Sequence, residues 1–221
     1  MTQKYGDDKV IAPGTVIISA GAEVSDIRKI VSPVLAHEKN SYIYYIDFSF
    51  DTMKLGGSAL AQVLNKLGDE VPTIKDSEYF ADAFNAVQDA IEKGLVLAGH
   101  DISAGGMITA LLEMCFANVE GGMEINLDKI KEQDLIKILF AENPGIVIQV
   151  SDKHKEAVKQ ILEDAGVGYV KLGKPTDERH ILVSKGDVTY QFGIDYMRDV
   201  WYSTSYLLDL SLIHISEPTR H

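Results

Sequence analysis

The stretch that decides the fold is seven residues long and reads His100-Asp101-Ile102-Ser103-Ala104-Gly105-Gly106. A short apolar run at 95–98 precedes it, and an apolar segment at 107–117 follows it. A short apolar run bounded by turn residues is typical of a buried strand, whereas the longer segment is apolar nearly all round, as in a buried helix. The sequence therefore predicts a strand, a glycine-rich turn and a helix in direct succession.

Regular hydrophobic spacing continues on both sides of this stretch. The predicted helices begin after Gly56-Gly57 and end at Gly68, run from 77 to 93 and end at Gly94, cover 135–140, and pass through 157–162 to end at Gly166. The predicted strands are 15–20, 41–48, 146–150, 169–172, 181–183 and 188–192, with a hairpin turn at Lys185-Gly186-Asp187 before the last. We expect an α/β (α+β) fold with a mixed sheet covered by helices, rather than a doubly wound parallel fold.

Composition narrows the classes of partner. The chain has 221 residues, with 21 basic and 33 acidic side chains and a net charge of −12, so it would repel a nucleic acid backbone. No stretch approaches the roughly 20 apolar residues that span a bilayer, and the first eight residues lack the apolar centre of a signal peptide. Cys115 is the single cysteine and permits no internal disulfide, which favours a reducing compartment such as the cytoplasm.

The turn at 100–106 carries the strongest chemical signal. Asp101 and Ser103 both offer oxygen donors of the kind that hard cations prefer, and Mg²⁺ needs only one or two protein carboxylates. Gly105 and Gly106 would let a phosphate approach the amides at the start of the following helix. The alternative is structural: Ser103 caps the helix, the glycines make the turn, and Asp101 bonds a neighbouring amide.

Other polar or reactive residues favour structural interpretations. Leu55-Gly56-Gly57-Ser58 is another glycine-containing helix start that suits either an anion or plain capping. Glu142 and Asn143 precede Pro144-Gly145 and are either ligands or a polar turn between helix and strand; turn chemistry favours the second interpretation. Cys115 lies in an apolar helix, where its thiol would be unreactive, and the aromatic residues of 42–50 suit a packed sheet better than a platform for stacking bases.

Three motifs, in order, give the chain a family resemblance. They are Leu55-Gly56-Gly57-Ser58-Ala59-Leu60-Ala61-Gln62, the stretch at 100–106, and Leu139-Phe140-Ala141-Glu142-Asn143-Pro144-Gly145. Together with Asp199-Val200-Trp201-Tyr202-Ser203-Thr204-Ser205 they resemble the phosphoribosylformylglycinamidine synthase family, over about 14–209. The similarity is to the C-terminal part of the second synthetase unit, a unit related to aminoimidazole ribonucleotide synthetase.

The resemblance implies a ligase that uses ATP and glutamine to convert formylglycinamide ribonucleotide to formylglycinamidine ribonucleotide in purine biosynthesis. It also implies that Asp101 binds Mg²⁺ and that Ser103, Gly105 and Gly106 contact the nucleotide. Ala104 departs from a common family form, which has an acidic residue there. The partners would be an upstream synthetase half and a downstream glutaminase domain, so we expect no activity from this chain alone.

The resemblance also sets the expected organisation. Residues 1–41 would be the strand-containing tail of a preceding segment, 42–194 the synthetase C-terminal-type domain, 195–210 an exit helix toward the glutaminase, and 211–221 a tail of non-native origin. Two other functions stay open. One is a related ATP-using synthetase, such as a selenophosphate or aminoimidazole ribonucleotide synthetase; the other is a non-catalytic structural module.

Overall fold

The computed structural model describes residues 2–11, 19, 21–24 and 26–216. The strands are β1 (Thr2–Tyr5), β2 (Asp8–Ile11), β3 (Ser41–Asp47), β4 (Val96–Asp101), β5 (Gly122–Asn126), β6 (Gly145–Ser151), β7 (Tyr169–Thr176), β8 (His180–Lys185) and β9 (Val188–Gly193). The α-helices are α1 (Ala59–Val63), α2 (Ser77–Glu92), α3 (Gly106–Phe116), α4 (Leu135–Phe140), α5 (Lys155–Asp164) and α6 (Ile194–Ser216). A 3₁₀ turn covers Ile27–Lys29.

Strands β3 to β9 form one mixed sheet in the order β4-β6-β3-β7-β5-β8-β9, and β1 pairs with β2 in a separate hairpin. Strands β5 and β8 run parallel, whereas the other neighbours in the large sheet run antiparallel. The predicted mixed sheet is therefore confirmed, as is the hairpin between β8 and β9. Successive side chains on a strand point to opposite faces, so each face can bury its own core.

Each face of the sheet is covered by helices. On one face, Ile43, Val147 and Ile125 pack with the buried residues of α3 and α4. On the other, Tyr44, Ile46 and Ile148 pack with α2 and α5. Neighbouring residues of β3 thus belong to different cores, which explains why this central strand is apolar at nearly every position.

Several predicted elements differ in extent. Helix α1 ends at Val63 instead of near Leu67, because Asn65 takes a left-handed conformation with φ of 53°. The apolar residues after this point, including Leu64 and Leu67, are exposed rather than buried. Phe84 is also exposed, although it lies four residues after Phe80 and three before Val87, a spacing that predicts one apolar face of α2.

Other differences concern elements that the sequence did not indicate. Strand β5 and the β1–β2 hairpin were not predicted. The predicted strand at 15–20 lies outside the described residues, apart from Ser19. Helix α6 continues to Ser216, six residues past the expected end of the exit helix at 210.

Helix α6 is attached to α3 by the chain's one tryptophan. The Trp201 indole N–H donates to the Glu113 carboxylate at 2.8 Å, and its ring centroid lies 5.6 Å from that of Phe116. The other oxygen of Glu113 lies 3.0 Å from Nε2 of His100. The exit helix therefore connects, through one carboxylate, to the first residue of the turn at 100–106. Among the described helices, none combines the length and the hydropathy required to cross a membrane.

Candidate functional site

The turn at 100–106 lies at one end of the large sheet. Asp101, the last residue of β4, pairs with Ile146, and Asp47, the last residue of β3, pairs with Gly145. Strands β4 and β3 therefore end where β6 begins. The antiparallel pairing of β6 with both neighbours brings Asp101 and the motif at 139–145 to this edge. The motif at 55–62 reaches it through a hydrogen bond between the Ala59 amide and Glu142.

The Asp101 carboxylate faces outward. Its side chain is 74% exposed, and Oδ1 lies 3.5 Å from Nδ1 of His100. The same His100 nitrogen lies 2.8 Å from the Asp101 backbone carbonyl oxygen, so the histidine braces the turn through the main chain. A cleft of about 260 Å³, lined in part by Asp101, Ile102 and Phe84, opens beside the carboxylate. Within the described residues, the Asp101 carboxylate accepts no hydrogen bond from a backbone amide. The alternative interpretation, in which Asp101 bonds a neighbouring amide, is therefore wrong.

Ser103 is exposed, and its hydroxyl has no hydrogen bond to the described residues. The residue before the first turn of α3 is Gly105, and no side chain caps the helix there. The capping role for Ser103 is therefore wrong, although its carbonyl oxygen does accept the Gly106 amide at 3.0 Å. Ala104 beside it is also exposed. A carboxylate and a hydroxyl, two residues apart, are both available to a molecule outside this chain.

Gly105 and Gly106 serve backbone geometry. Both have positive φ, 90° and 74°, which costs a residue with a Cβ atom far more than it costs glycine. A Cβ on Gly105 would lie 2.3 Å from the Thr109 hydroxyl oxygen, and one on Gly106 would lie 2.6 Å from the Leu139 carbonyl oxygen. The Gly106 amide is paired with Ser103, and the Gly105 amide is paired with Glu142. A phosphate that used these two amides would have to displace both partners.

Glu142 makes two long-range contacts that the sequence interpretation missed. One oxygen, Oε1, accepts the Gly105 amide at 2.8 Å and the Ala59 amide at 2.7 Å. Ala59 is the first residue of α1, so the carboxylate lies at the positive end of that helix. Glu142 thus joins the starts of α1 and α3. The two amides that it binds lie 83 and 37 residues before it in the sequence. Its sequence signal is a carboxylate in the third motif, which turn chemistry alone does not require.

Asn143 completes the connection between the motifs. Its side chain is buried, accepts the Lys54 amide at 3.1 Å, and donates to the Thr52 carbonyl at 3.0 Å and the Ser49 hydroxyl at 3.2 Å. The loop that leads into Leu55 is therefore fixed by the residue next to Glu142. Both residues were interpreted from sequence as a local turn; they are long-range ties instead.

The glycine-containing start at 55–58 has a structural explanation. Ser58 is the N-cap of α1, and its hydroxyl accepts the Ala61 amide at 3.2 Å. A Cβ on Gly56 would lie 2.2 Å from the Glu70 carbonyl oxygen, so the backbone passes too closely for any other residue. Capping and close packing, which were the favoured interpretation, are confirmed by these contacts.

The donor set suits Mg²⁺ only with help from outside. The described residues contain no cluster of three or more His, Cys, Asp or Glu side chains arranged to hold a metal. One exposed carboxylate nevertheless fits the usual manner of Mg²⁺ binding, in which waters and ligand phosphates complete the octahedron. Cys115 contributes nothing to such a site: it is buried, and burial raises the pKa of its thiol to about 12.

Comparison with known proteins gives a consistent family. Residues 49–185 match the family model described as AIR synthase related protein, C-terminal domain. The human phosphoribosylformylglycinamidine synthase is 34% identical over 214 residues, which cover 95% of this chain and 16% of that protein. The chain thus spans about a sixth of the length of this curated relative.

Solved structures show the same fold. PurL of T. maritima complexed with FGAR superposes with a TM-score of 0.62 at 18% identity, covering 78% of this chain and 30% of that one. PurL of T. maritima complexed with ATP gives a TM-score of 0.59 at 15% identity, covering 76% and 27%. At this level of identity the likeness establishes the architecture alone, a mixed seven-stranded sheet covered by helices.

Proposed function

The chain belongs to the family of AIR synthase related C-terminal domains, and from that premise we propose that it is one domain of an ATP-dependent carbon–nitrogen ligase, a phosphoribosylformylglycinamidine synthase. The reaction would convert formylglycinamide ribonucleotide to the amidine in purine biosynthesis, with glutamine as the source of ammonia. The relatives named for this activity are several times longer than this chain. The domain therefore contributes to a site that other parts of the enzyme complete.

One observation carries the proposal for the site. Asp101 presents an exposed carboxylate, paired among the described residues with His100 at 3.5 Å, and Ser103 presents a hydroxyl with no hydrogen bond to those residues. Glu142 fixes the turn that carries them through the Gly105 amide. A fixed turn with exposed polar side chains suits ligand binding, because little conformational entropy is lost when the ligand binds. We assign Asp101 to Mg²⁺ and Ser103 to a phosphate oxygen of ATP.

Mg²⁺, when bound, would offset charge on the transferred phosphoryl group. In this chain Asp101 would hold the ion in position, and the Ser103 hydroxyl would donate a hydrogen bond to a neighbouring phosphate oxygen. Gly105 and Gly106 support nucleotide binding indirectly: their lack of Cβ atoms lets the turn pack against Leu139 and Thr109, which sets the direction of both side chains. No residue of this chain is assigned to bond making or breaking.

Exposed apolar residues favour a domain that functions within a larger protein. Val63, Leu64 and Leu67 are 84%, 58% and 58% exposed. They lie at the end of α1 and just after it, and Glu142 ties this helix to the turn. Clustered apolar exposure of this kind marks surfaces that other domains cover. We propose that the upstream synthetase half covers this segment and supplies the remaining ligands, and that a glutaminase domain follows α6. The cytoplasm is the proposed compartment.

The proposal is tested by calorimetric titration of Mg-ATP into this chain and into the Asp101→Ala variant, each alone and after addition of the separately expressed remainder of the synthase. Asp82→Ala, an exposed aspartate on α2, is the matched control. We expect that Asp101→Ala weakens Mg-ATP binding or restored ligase activity at least about tenfold, as expected for a lost charged contact, while the control does not. Equal behaviour of both variants, with the fold retained by circular dichroism, would show that Asp101 is not a metal ligand.

The same experiment separates the alternatives. Restored amidine formation identifies the ligase, whereas nucleotide hydrolysis with a different acceptor would indicate a related synthetase. A chain that assembles with its partner and supports activity regardless of Asp101 and Ser103 would be a structural module.

A further inference from the structure

A second cleft, of about 770 Å³, lies at the same end of the sheet but away from Asp101. It is bounded by the end of β3, the start of β7 and the segment between β5 and α4. Its volume falls within the range of small-molecule sites in proteins. The glycine turn at 100–106 contributes no residue to it, so the proposed function leaves this cleft unexplained.

An aromatic pair lines the cleft, with Phe50 exposed and Tyr79 partly buried. Phe50 is 56% exposed, and its ring centroid lies 4.7 Å from that of Tyr79, with 41° between the planes. Phe50 has a φ of 50°, a conformation that is costly for a bulky residue. The Asp47 carboxylate holds it there by accepting the amides of Ser49 at 3.0 Å and Phe50 at 3.1 Å. Since Phe50 is exposed, burial of its side chain does not account for this strain. Strained backbone of this kind is concentrated at binding and active sites.

The carboxylates that line the cleft are already used. Asp47 accepts two amides, and Asp51 accepts from Lys54 and from the Thr73 hydroxyl. Glu132 accepts the amides of Gln133 at 2.7 Å and Asp134 at 2.9 Å. These contacts lower the pKa of Asp51 and of Glu132, so both carboxylates stay ionised. Both are already hydrogen-bonded to groups of the chain itself.

The lysines that line the cleft are not used. Lys75, Lys129 and Lys131 are exposed, and none forms an ion pair within the described part of the chain. Lys129 also lines a neighbouring cleft of about 360 Å³ together with Lys171, whose ammonium lies 3.3 Å from the centroid of the Tyr42 ring. Burial, followed by the charges of Lys155 and Lys129, lowers the pKa of Lys171. Three carboxylates and three lysines line the larger cleft. Because the carboxylates are held in hydrogen bonds and the three ammonium groups form no ion pair within the described residues, the lysines are the groups left to bind an anion.

We propose that this cleft is a binding site for a nucleoside monophosphate or a similar phosphorylated ring compound. The ring would lie against Phe50 and Tyr79, and the phosphate would be met by Lys129 and Lys131. Aromatic faces stack on planar rings whatever substituents the rings carry, and lysine binds phosphate as a point charge. The site therefore selects phosphorylated ring compounds as a class and does not select a particular base. The site requires neither Mg²⁺ nor Asp101, and so it stands apart from the proposed ligase site.

The test is calorimetric titration of AMP into the full chain in EDTA, beside adenosine and inorganic phosphate as half-ligands. We expect saturable AMP binding that is tighter than that of either half-ligand, and the same affinity in Asp101→Ala. Lys129→Glu should weaken AMP binding at least about tenfold. Phe50→Asn keeps a residue that tolerates positive φ but removes the ring, and should weaken binding about fivefold or more.

Lys66→Glu, a charge reversal at an exposed lysine outside both clefts, is the matched control and should bind AMP as the wild type does. No saturable binding of AMP, or unchanged binding by Lys129→Glu, would overturn the proposal. Loss of AMP binding in Asp101→Ala would also overturn it, by moving the ligand to the turn at 100–106. Because the titration contains no divalent metal, its failure leaves the Mg-ATP proposal intact, and the reverse also holds.

Discussion

The Glu142 carboxylate accepts the backbone amide of Gly105 at 2.8 Å, and the same oxygen accepts the amide of Ala59 at 2.7 Å. This oxygen therefore fixes the starts of α3 and α1 relative to each other. Glu142→Ala leaves both partly buried amides without a partner, which costs about 1–3 kcal/mol for each group that stays unsatisfied. We expect Glu142→Ala to lower the free energy of unfolding by about 2–4 kcal/mol in urea titrations.

Two further variants distinguish the loss of the Glu142 hydrogen bonds from a nonspecific loss of stability caused by substitution. Glu142→Gln keeps an acceptor oxygen at the same reach and should recover more than half of the loss. Glu92→Ala, at the exposed end of α2, should leave the free energy of unfolding nearly unchanged. If Glu142→Ala and Glu92→Ala unfold at the same urea concentration, the carboxylate does not hold the two helix starts together.

Sequence patterns predicted the elements with a strong local signal. Helix α2 was found because its buried residues recur at helical spacing, and β3 because it is a continuous run of aromatic and β-branched residues buried on both faces. Strand β5 was missed since its sequence, Gly-Met-Glu-Ile-Asn, contains one β-branched residue, and its place between β7 and β8 depends on partners about 50 residues downstream. The turn at 100–106 was located correctly, but the use of the Gly105 amide by Glu142 was not. That bond depends on how α1, α3 and β6 meet, which local patterns do not encode.

Close packing and backbone conformation both require glycine at position 106. Its φ is 74°, and an added Cβ would lie 2.6 Å from the Leu139 carbonyl oxygen. Gly186 provides a matched comparison, because its φ is 55° but nothing lies within 4 Å of an added Cβ. We expect Gly186→Ala to cost roughly 1 kcal/mol and Gly106→Ala roughly 2–5 kcal/mol in free energy of unfolding. Equal losses in urea titrations would mean that the α3–α4 contact adjusts and that conformation alone selects glycine at 106.

Cys115 should be inert in the folded chain. Its side chain is buried, and burial raises the pKa of the thiol to about 12, so little thiolate is present near neutral pH. We expect its reaction with an aromatic disulfide reagent to be at least about 100-fold slower in the folded chain than in concentrated urea. The control is Val119→Cys in a Cys115→Ala background, because residue 119 is 90% exposed and should react at once. Equal rates for the two thiols would contradict the burial of Cys115.

Asp51 should make stability depend on acid pH. Hydrogen bonds from Lys54 first, then from Thr73 and the Thr52 amide, hold the pKa of its carboxyl well below the usual range. A lowered native pKa means that the unfolded chain binds a proton first, so the stabilisation is complete above about pH 4 and declines as the pH falls further. We therefore expect Asp51→Asn to be less stable than the wild type at pH 6, with the difference shrinking steadily below pH 4 in urea titrations. Asp82→Asn on α2 should show no such convergence, and a difference for Asp51→Asn that stays constant down to pH 2 would show that the loop at 49–54 does not depend on the charge of Asp51.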